Sequence, residues 1–218
     1  MNKDELIKNY QKVFGKNEKD VFFSPGRINV IGEHTDYNGG HVFPAAISLG
    51  VYGVYGPRND NKVCLYSGNI DSEIVEFDLN DDTVEKDDRF WANYFKGMIT
   101  YLRQREDGNK INHGFNLYIK ADLPSGSGLS SSAAIEMLMG MILKDEFDLD
   151  INRPDLARLG QKTENEFVGL NSGESIALTY AKGKIIPVKH ANWTTHLNLV
   201  WRKDREVTPL MQKLIEMF

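Results

Sequence analysis

A single cysteine, Cys64, occurs in the 218 residues. That excludes an internal disulfide and a zinc site built from cysteines, and it fits a reducing compartment, so a cytoplasmic chain is expected. Proline is scarce too, at 7 residues, with no proline-rich linker, internal repeat or low-complexity tract. No apolar run reaches the ~18 residues needed to span a bilayer. The opening Met-Asn-Lys-Asp-Glu-Leu is polar, unlike a secretory leader, so no membrane partner is expected. Basic charge is in deficit: 26 Lys and Arg against 31 Asp and Glu leave a net charge of −5. That balance argues against nucleic acid as a partner. What remains is a chain that is 41% hydrophobic, enough for a real core in one large domain or two small ones.

The most informative stretch is Leu123-Pro-Ser-Gly-Ser-Gly-Leu-Ser-Ser-Ser132. Before it, Phe115, Leu117 and Ile119 alternate with Asn116, Tyr118 and Lys120, the pattern of a half-buried strand. After it, Ala133 to Leu143 is rich in Ala, Met and Leu, which predicts a buried helix. A strand, a small-residue loop and a helix N-terminus together suit an anion. Glycines let backbone N–H groups approach a phosphate, the helix dipole favours its charge, and serine hydroxyls can bind phosphate oxygens or a metal. An ordinary turn capped by serines has the same composition. The loop lacks the Gly-Lys-Ser/Thr of the Walker type and is not a dinucleotide fingerprint.

A second cluster lies nearer the start. Between Ser24 and Gly40, glycines 26, 32, 39 and 40 punctuate a stretch carrying Arg27, Glu33, His34 and Asp36 beside apolar Ile28, Val30 and Ile31. The strand begun at Val21-Phe22-Phe23 would draw some of these charges into partly buried positions. Buried carboxylates need donors, and sugar hydroxyls supply them. A solvated loop is the plainer reading, and a Glu-His-x-Asp metal site lacks a second His or Cys cluster.

Elsewhere, residues 3–14, 90–104 and 155–168 have helical spacing, and 42–54, 62–66 and 73–77 read as successive antiparallel strands. Trp91 and Tyr94, one turn apart, are candidates either for the core or for stacking on a base. Asn80 to Asp88 reads as a solvated acidic loop. In the helix 155–168, Glu164 matters only if it faces the Gly–Ser loop. The expected fold is α+β, a mainly antiparallel sheet of about five strands packed on helices near 91–104, 130–144 and 155–168.

Three segments together resemble one family. Gly26-Arg-Ile-Asn-Val-Ile-Gly-Glu-His-Thr-Asp-Tyr37 is similar to the galactokinase signature, and Pro124-Ser-Gly-Ser-Gly-Leu-Ser-Ser-Ser-Ala133 to the phosphate loop of the wider GHMP kinase superfamily. Phe90-Trp-Ala-Asn-Tyr94 and Glu164-Asn-Glu-Phe-Val-Gly169 match galactokinase segments in the same order. The resemblance covers about residues 1–173. It implies a GHMP kinase N-terminal domain (ribosomal protein S5 domain 2-like) and ATP-dependent phosphorylation of galactose at its 1-hydroxyl, with Mg2+. By position, Arg27 would stabilise charge on the phosphoryl group, and Glu33, His34, Thr35 and Asp36 would hold the sugar. Ser125, Gly126, Ser127, Gly128, Leu129, Ser130 and Ser131 would wrap the triphosphate, with Ser131 and Glu164 on magnesium. Trp91 and Tyr94 would line the adenine pocket, and Ser67 would touch the nucleotide. Phosphoryl transfer depends chiefly on positioning and charge stabilisation, which an arginine, a metal and backbone N–H groups supply.

The match then stops. Galactokinases continue from a segment like Asn171-Ser-Gly173 into Ile-Met-Asp-Gln, whose Asp serves as base or orienter. Here the Asp position holds Ile176, and Glu174 lies two residues early. The family's second, ferredoxin-like domain is expected to be missing, and residues 174–218 form a separate tail, fused or independently diverged. Within it, Leu197 to Arg205, Thr208-Pro209 and an amphipathic helix resemble the end of a LysR-type regulator effector domain. The expectation is therefore a galactokinase that turns over poorly. The rival reading is a non-catalytic galactose- and ATP-binding fragment or an interaction module, with apolar surface exposed for self-association.

Overall fold

The computed structural model describes residues 1–31, 43–70, 73–85, 87–123, 129–170 and 185–186. Glu33, His34, Thr35, Asp36, Ser125, Gly126, Ser127 and Gly128 lie outside the described residues, as do Glu174, Ile176 and the tail beyond Pro187. The chain divides into two compact units, Met1–Pro187 and Val188–Phe218, and the elements below belong to the first.

Helix α1 (Lys3–Phe14) starts where the Asn2 side chain accepts from the Asp4 N–H, and it buries Leu6 and Tyr10. Strand β1 (Asp20–Ile31) runs straight through Ser24-Pro-Gly-Arg27. It pairs antiparallel with β2 (Phe43–Pro57), the register slipping between Pro25 and Arg27 and again between Asn29 and Ile31. Strand β3 (Lys62–Ser67) pairs antiparallel with β4 (Val75–Asp78). Strand β5 (Phe115–Ala121) sits between β2 and β3, antiparallel to the first and parallel to the second. The sheet order is β1-β2-β5-β3-β4, and the two-residue β6 (Ile185–Ile186) lies parallel against β2. The strands expected at 42–54 and 62–66 both form but are not neighbours. Alternation fixes which face a strand buries, not which strand lies beside it.

Three helices cover one face. α2 (Asn93–Arg103) follows a 3-10 turn at Asp87–Ala92 and buries Phe95, Met98, Ile99 and Leu102. α3 (Ser131–Glu146) is nearly continuous apolar sequence and is buried on most sides. α4 (Arg153–Lys162) starts at Asn152, whose side chain accepts from the Asp155 N–H, and widens into a π turn at Thr163–Val168. The core joins Val51, Tyr55, Val63, Leu65, Phe115, Leu117 and Ile119 of the sheet to Phe95, Met98, Leu138, Ile142 and Leu156 of the helices. On the other face α1 packs Leu6 and Tyr10 on Val54 and Tyr118. The α+β expectation and the three helix positions match this architecture.

Candidate active site

The site begins where β1 slips register. Gly26 packs so closely that a Cβ there would lie 2.6 Å from Leu123 Cδ2 and 3.2 Å from the Leu129 carbonyl oxygen. Next door, the Arg27 N–H donates to that same carbonyl at 3.0 Å. Leu123 and Leu129 flank the Gly–Ser stretch on its two sides, so both ends of that stretch meet β1 at Gly26 and Arg27. Bulges of this kind recur where a strand re-aims side chains beside a functional site.

The stretch leads into α3 through Ser130, which holds φ 56° and ψ 53°, the left-handed region, with no side-chain cap bond. Such a conformation costs a non-glycine residue about 1–2 kcal/mol and concentrates at functional loops. Ser131, the first residue of α3, is exposed. Ser132 is the residue that reaches across: its Oγ donates to Glu164 Oε1 at 2.8 Å. Glu164 is buried in the π turn after α4, a local widening frequently found at functional sites.

One turn after Ser132, Glu136 is fully buried. Neither carboxyl oxygen has a hydrogen-bond partner among the described residues. One of them, Oε2, would lie 3.3 Å from a Cβ placed on Gly160 of α4, so that glycine makes room for the carboxyl group. Burial pushes its pKa up to about 10, and the Glu164 charge adds to the shift. At neutral pH it is therefore an uncharged acid. Tyr94 shares this environment. Burial first, then the carboxyl groups of Glu164 and Glu136, raise its phenol to about 12.

Of the residues expected at the site, the structure brings the Arg27 backbone to Leu129, and sets Tyr94 within electrostatic reach of Glu164. Trp91 is half-buried with its ring edge-on to Phe95 at 5.9 Å, and its indole N–H has no acceptor among the described residues. Ser67 is buried at the end of β3, opposite Ile119. Two further residues had no individual role assigned from the sequence. Ser132 was hidden because three serines run together and only the helix phase distinguishes them. Glu136 did leave a signal, a lone carboxylate inside the apolar run Ala133 to Leu143.

Comparison with known proteins bears on this arrangement. Residues 8–57 match the galactokinase galactose-binding signature, and residues 93–183 match the GHMP kinases N terminal domain. The chain is similar to the galactokinase family over 79% of its length. A family member from Lactobacillus helveticus is 76% identical over 174 residues, 79% of this chain and 44% of that protein. One from Limosilactobacillus fermentum is 63% identical over 185 residues, 84% of this chain and 47% of that protein. The chain thus spans less than half the length of either galactokinase. Among solved structures, Lactococcus lactis galactokinase complexed with galactose superposes with a TM-score of 0.76 at 48% identity, covering 83% of this chain and 46% of that one. Methanococcus jannaschii mevalonate kinase shares the fold at 19% identity and a TM-score of 0.61. The galactokinase signature match contains Gly26 and Arg27, and the kinase-domain match contains Tyr94, Ser132, Glu136 and Glu164. Among the described residues no helix is long and apolar enough to cross a membrane.

Proposed function

We propose that this chain carries the galactose- and nucleotide-binding half of a galactokinase, which transfers the terminal phosphate of ATP to the 1-hydroxyl of galactose in the cytoplasm. The observation that carries the reading is the contact of β1 with the Gly–Ser stretch: Arg27 N–H to Leu129 O at 3.0 Å, with Ser132 bonded to Glu164 beyond it. Phosphoryl transfer needs the acceptor, the triphosphate and the charges that stabilise it within one small volume. The bond from β1 to Leu129 supports this reading.

In this reading Arg27 stabilises charge on the transferred group, since a guanidinium suits a planar, spreading anion. Residues 125–131 wrap the triphosphate. Glu33, His34, Thr35 and Asp36 hold the sugar hydroxyls, and Trp91, Tyr94 and Ser67 border the nucleotide. A hydroxyl and a carboxylate are hard oxygen donors of the kind magnesium takes alongside phosphates and water. The Ser132–Glu164 pair, with Ser131 beside it, fits that ion, which when bound would neutralise charge on the phosphates. Glu136 stays neutral behind them and adds no charge at pH 7.

A second reading rests on Ile176, which stands where galactokinases have their Asp. Without it the chain binds galactose and ATP but transfers phosphate slowly, since loss of a base costs ~10²–10⁴ in rate. The domain division near Gly173 belongs to this same proposal. Exposed Ile31 and Phe43, paired across β1 and β2, support self-association as a further property. Incubation with ATP, magnesium and galactose tests the first reading. Galactose 1-phosphate forming above the no-protein control supports transfer. None under any condition, with both ligands bound, leaves the binding reading.

A further inference from the structure

The segment Asn80 to Asp88 has the composition of a solvated acidic loop, yet it is tied to α2 by two fully buried side chains. Lys96 lies inside α2 with no side-chain exposure. Its Nζ donates to Asp81 Oδ2 at 2.9 Å, to the Thr83 carbonyl at 3.1 Å and to Glu85 Oε1 at 2.8 Å. An ammonium has three protons, and three acceptors receive them. The same Nζ sits 4.7 Å from the centre of the Phe77 ring, a favourable place for a cation. Asn93, the first residue of α2, is equally buried. Its side-chain amide donates to the Glu85 carbonyl at 2.9 Å, and its Oδ1 accepts from the Glu85 N–H at 2.7 Å.

Glu85 is therefore gripped at its carboxylate by Lys96 and at both backbone groups by Asn93. Asn93 thus ties Glu85 to the start of α2, and the 3-10 turn Asp87–Ala92 that leads into α2 carries Trp91. Phe95, between the two gripping residues, supplies the ring against which Trp91 stands. A buried ion cluster of this kind is a poor source of stability. Its desolvation cost is large, and apolar residues of the same volume often do as well or better. What it supplies is one defined position for Glu85.

We infer that Lys96 and Asn93 are positioning residues for nucleotide binding, acting through Glu85 and the 3-10 turn before α2 to hold Trp91 where it borders the base. This rests on the reading of Trp91 and Tyr94 as the nucleotide's wall. Neither Lys96 nor Asn93 needs to touch a ligand.

The test uses the full chain with Trp193 and Trp201 replaced by Phe, so that Trp91 alone emits. Lys96→Met, Glu85→Gln and Asn93→Ala are compared with this parent for affinity toward ATP, affinity toward galactose, and acrylamide quenching of Trp91 without ligand. Small misplacements of a positioning group can cost up to about a hundredfold, so ATP affinity should fall about tenfold or more in Lys96→Met. Galactose affinity should stay within about twofold, and quenching should rise. Glu85→Gln preserves shape and gives the same pattern more weakly should Lys96→Met fold poorly. A parent that binds ATP, with variants equal to it in affinity and quenching, overturns this inference alone. So does an equal loss of both ligands, which marks a merely structural role. A parent that binds galactose but no ATP overturns this inference and the nucleotide reading together.

Discussion

Replacing Glu136 with Gln gives a stability change whose size and pH dependence both follow from the structure. The carboxyl group is fully buried, without a hydrogen-bond partner among the described residues, and its pKa rises from the ordinary 4.5 to about 10. Burial is the main cause, because removing water disfavours the charged form; the Glu164 charge is the lesser one. A folded-state pKa above the unfolded one means that folding retains a proton. The acid's contribution is intact below about pH 4.5 and is lost as pH rises toward 10. At pH 7 the unfolded chain is favoured by ionisation by about 3 kcal/mol, from 1.36 kcal/mol per unit over the interval above 4.5. Gln has the same shape and no proton to lose. The stability difference, Glu136→Gln minus parent, should therefore climb by about 4 kcal/mol between pH 5 and pH 8, a large share of the 5–15 kcal/mol typical of a domain. Urea unfolding followed by circular dichroism across that range measures it. A difference that does not change with pH would refute the reasoning, because it would mean that Glu136 ionises alike in the folded and unfolded chain.

Leu65→Ala removes a fully buried side chain from the centre of β3, and denaturant melts should show a loss of about 2–5 kcal/mol. Ser130→Gly relieves the left-handed residue before α3, so the same assay should show a gain of up to about 1 kcal/mol, set against the entropy that glycine adds to the unfolded chain. Tyr10→Phe deletes the hydroxyl that donates to Asn17 Oδ1 at 2.8 Å. It should cost about 1 kcal/mol in thermal or urea unfolding and leave ligand affinities unchanged.

Much of the fold was legible because α1, α2 and α4 carry an apolar face, α3 is a nearly continuous apolar run, and several strands alternate. Residues 3–14 formed a helix over the span expected, and the 155–168 segment formed one that ends in a π turn. The Gly–Ser stretch between a strand and an apolar helix was visible for the same reason. What was hidden lay in phase and neighbourhood. That Ser132 bonds to Glu164 depends on the turn of α3, which a run of identical residues cannot reveal. That β5 lies between β2 and β3 depends on pairing, which alternation does not encode. In the acidic segment at 80–88, Asn80, Asp82, Thr83 and Val84 are exposed as expected, but composition reports charge and not the partner of Asp81 and Glu85. Lys96 on an otherwise apolar face of α2 was the available sign that Asp81 and Glu85 would be bound. The route of β1 through Pro25 and Gly26 was similarly obscured, since both residues usually interrupt strands.

On the proposed reading, the Gly–Ser stretch, Ser132 and Glu164 hold a magnesium-bound nucleotide against the strand that carries Arg27. Calorimetric titration of magnesium ATP into the parent chain, Ser132→Ala and Glu164→Gln, with galactose titrated into each as a control, tests this most directly. One nucleotide per parent chain, affinity lowered about tenfold or more in both variants, and galactose affinity unchanged is the predicted result. Parent chain that takes up galactose but no nucleotide, or variants that bind nucleotide as tightly as the parent, would contradict it.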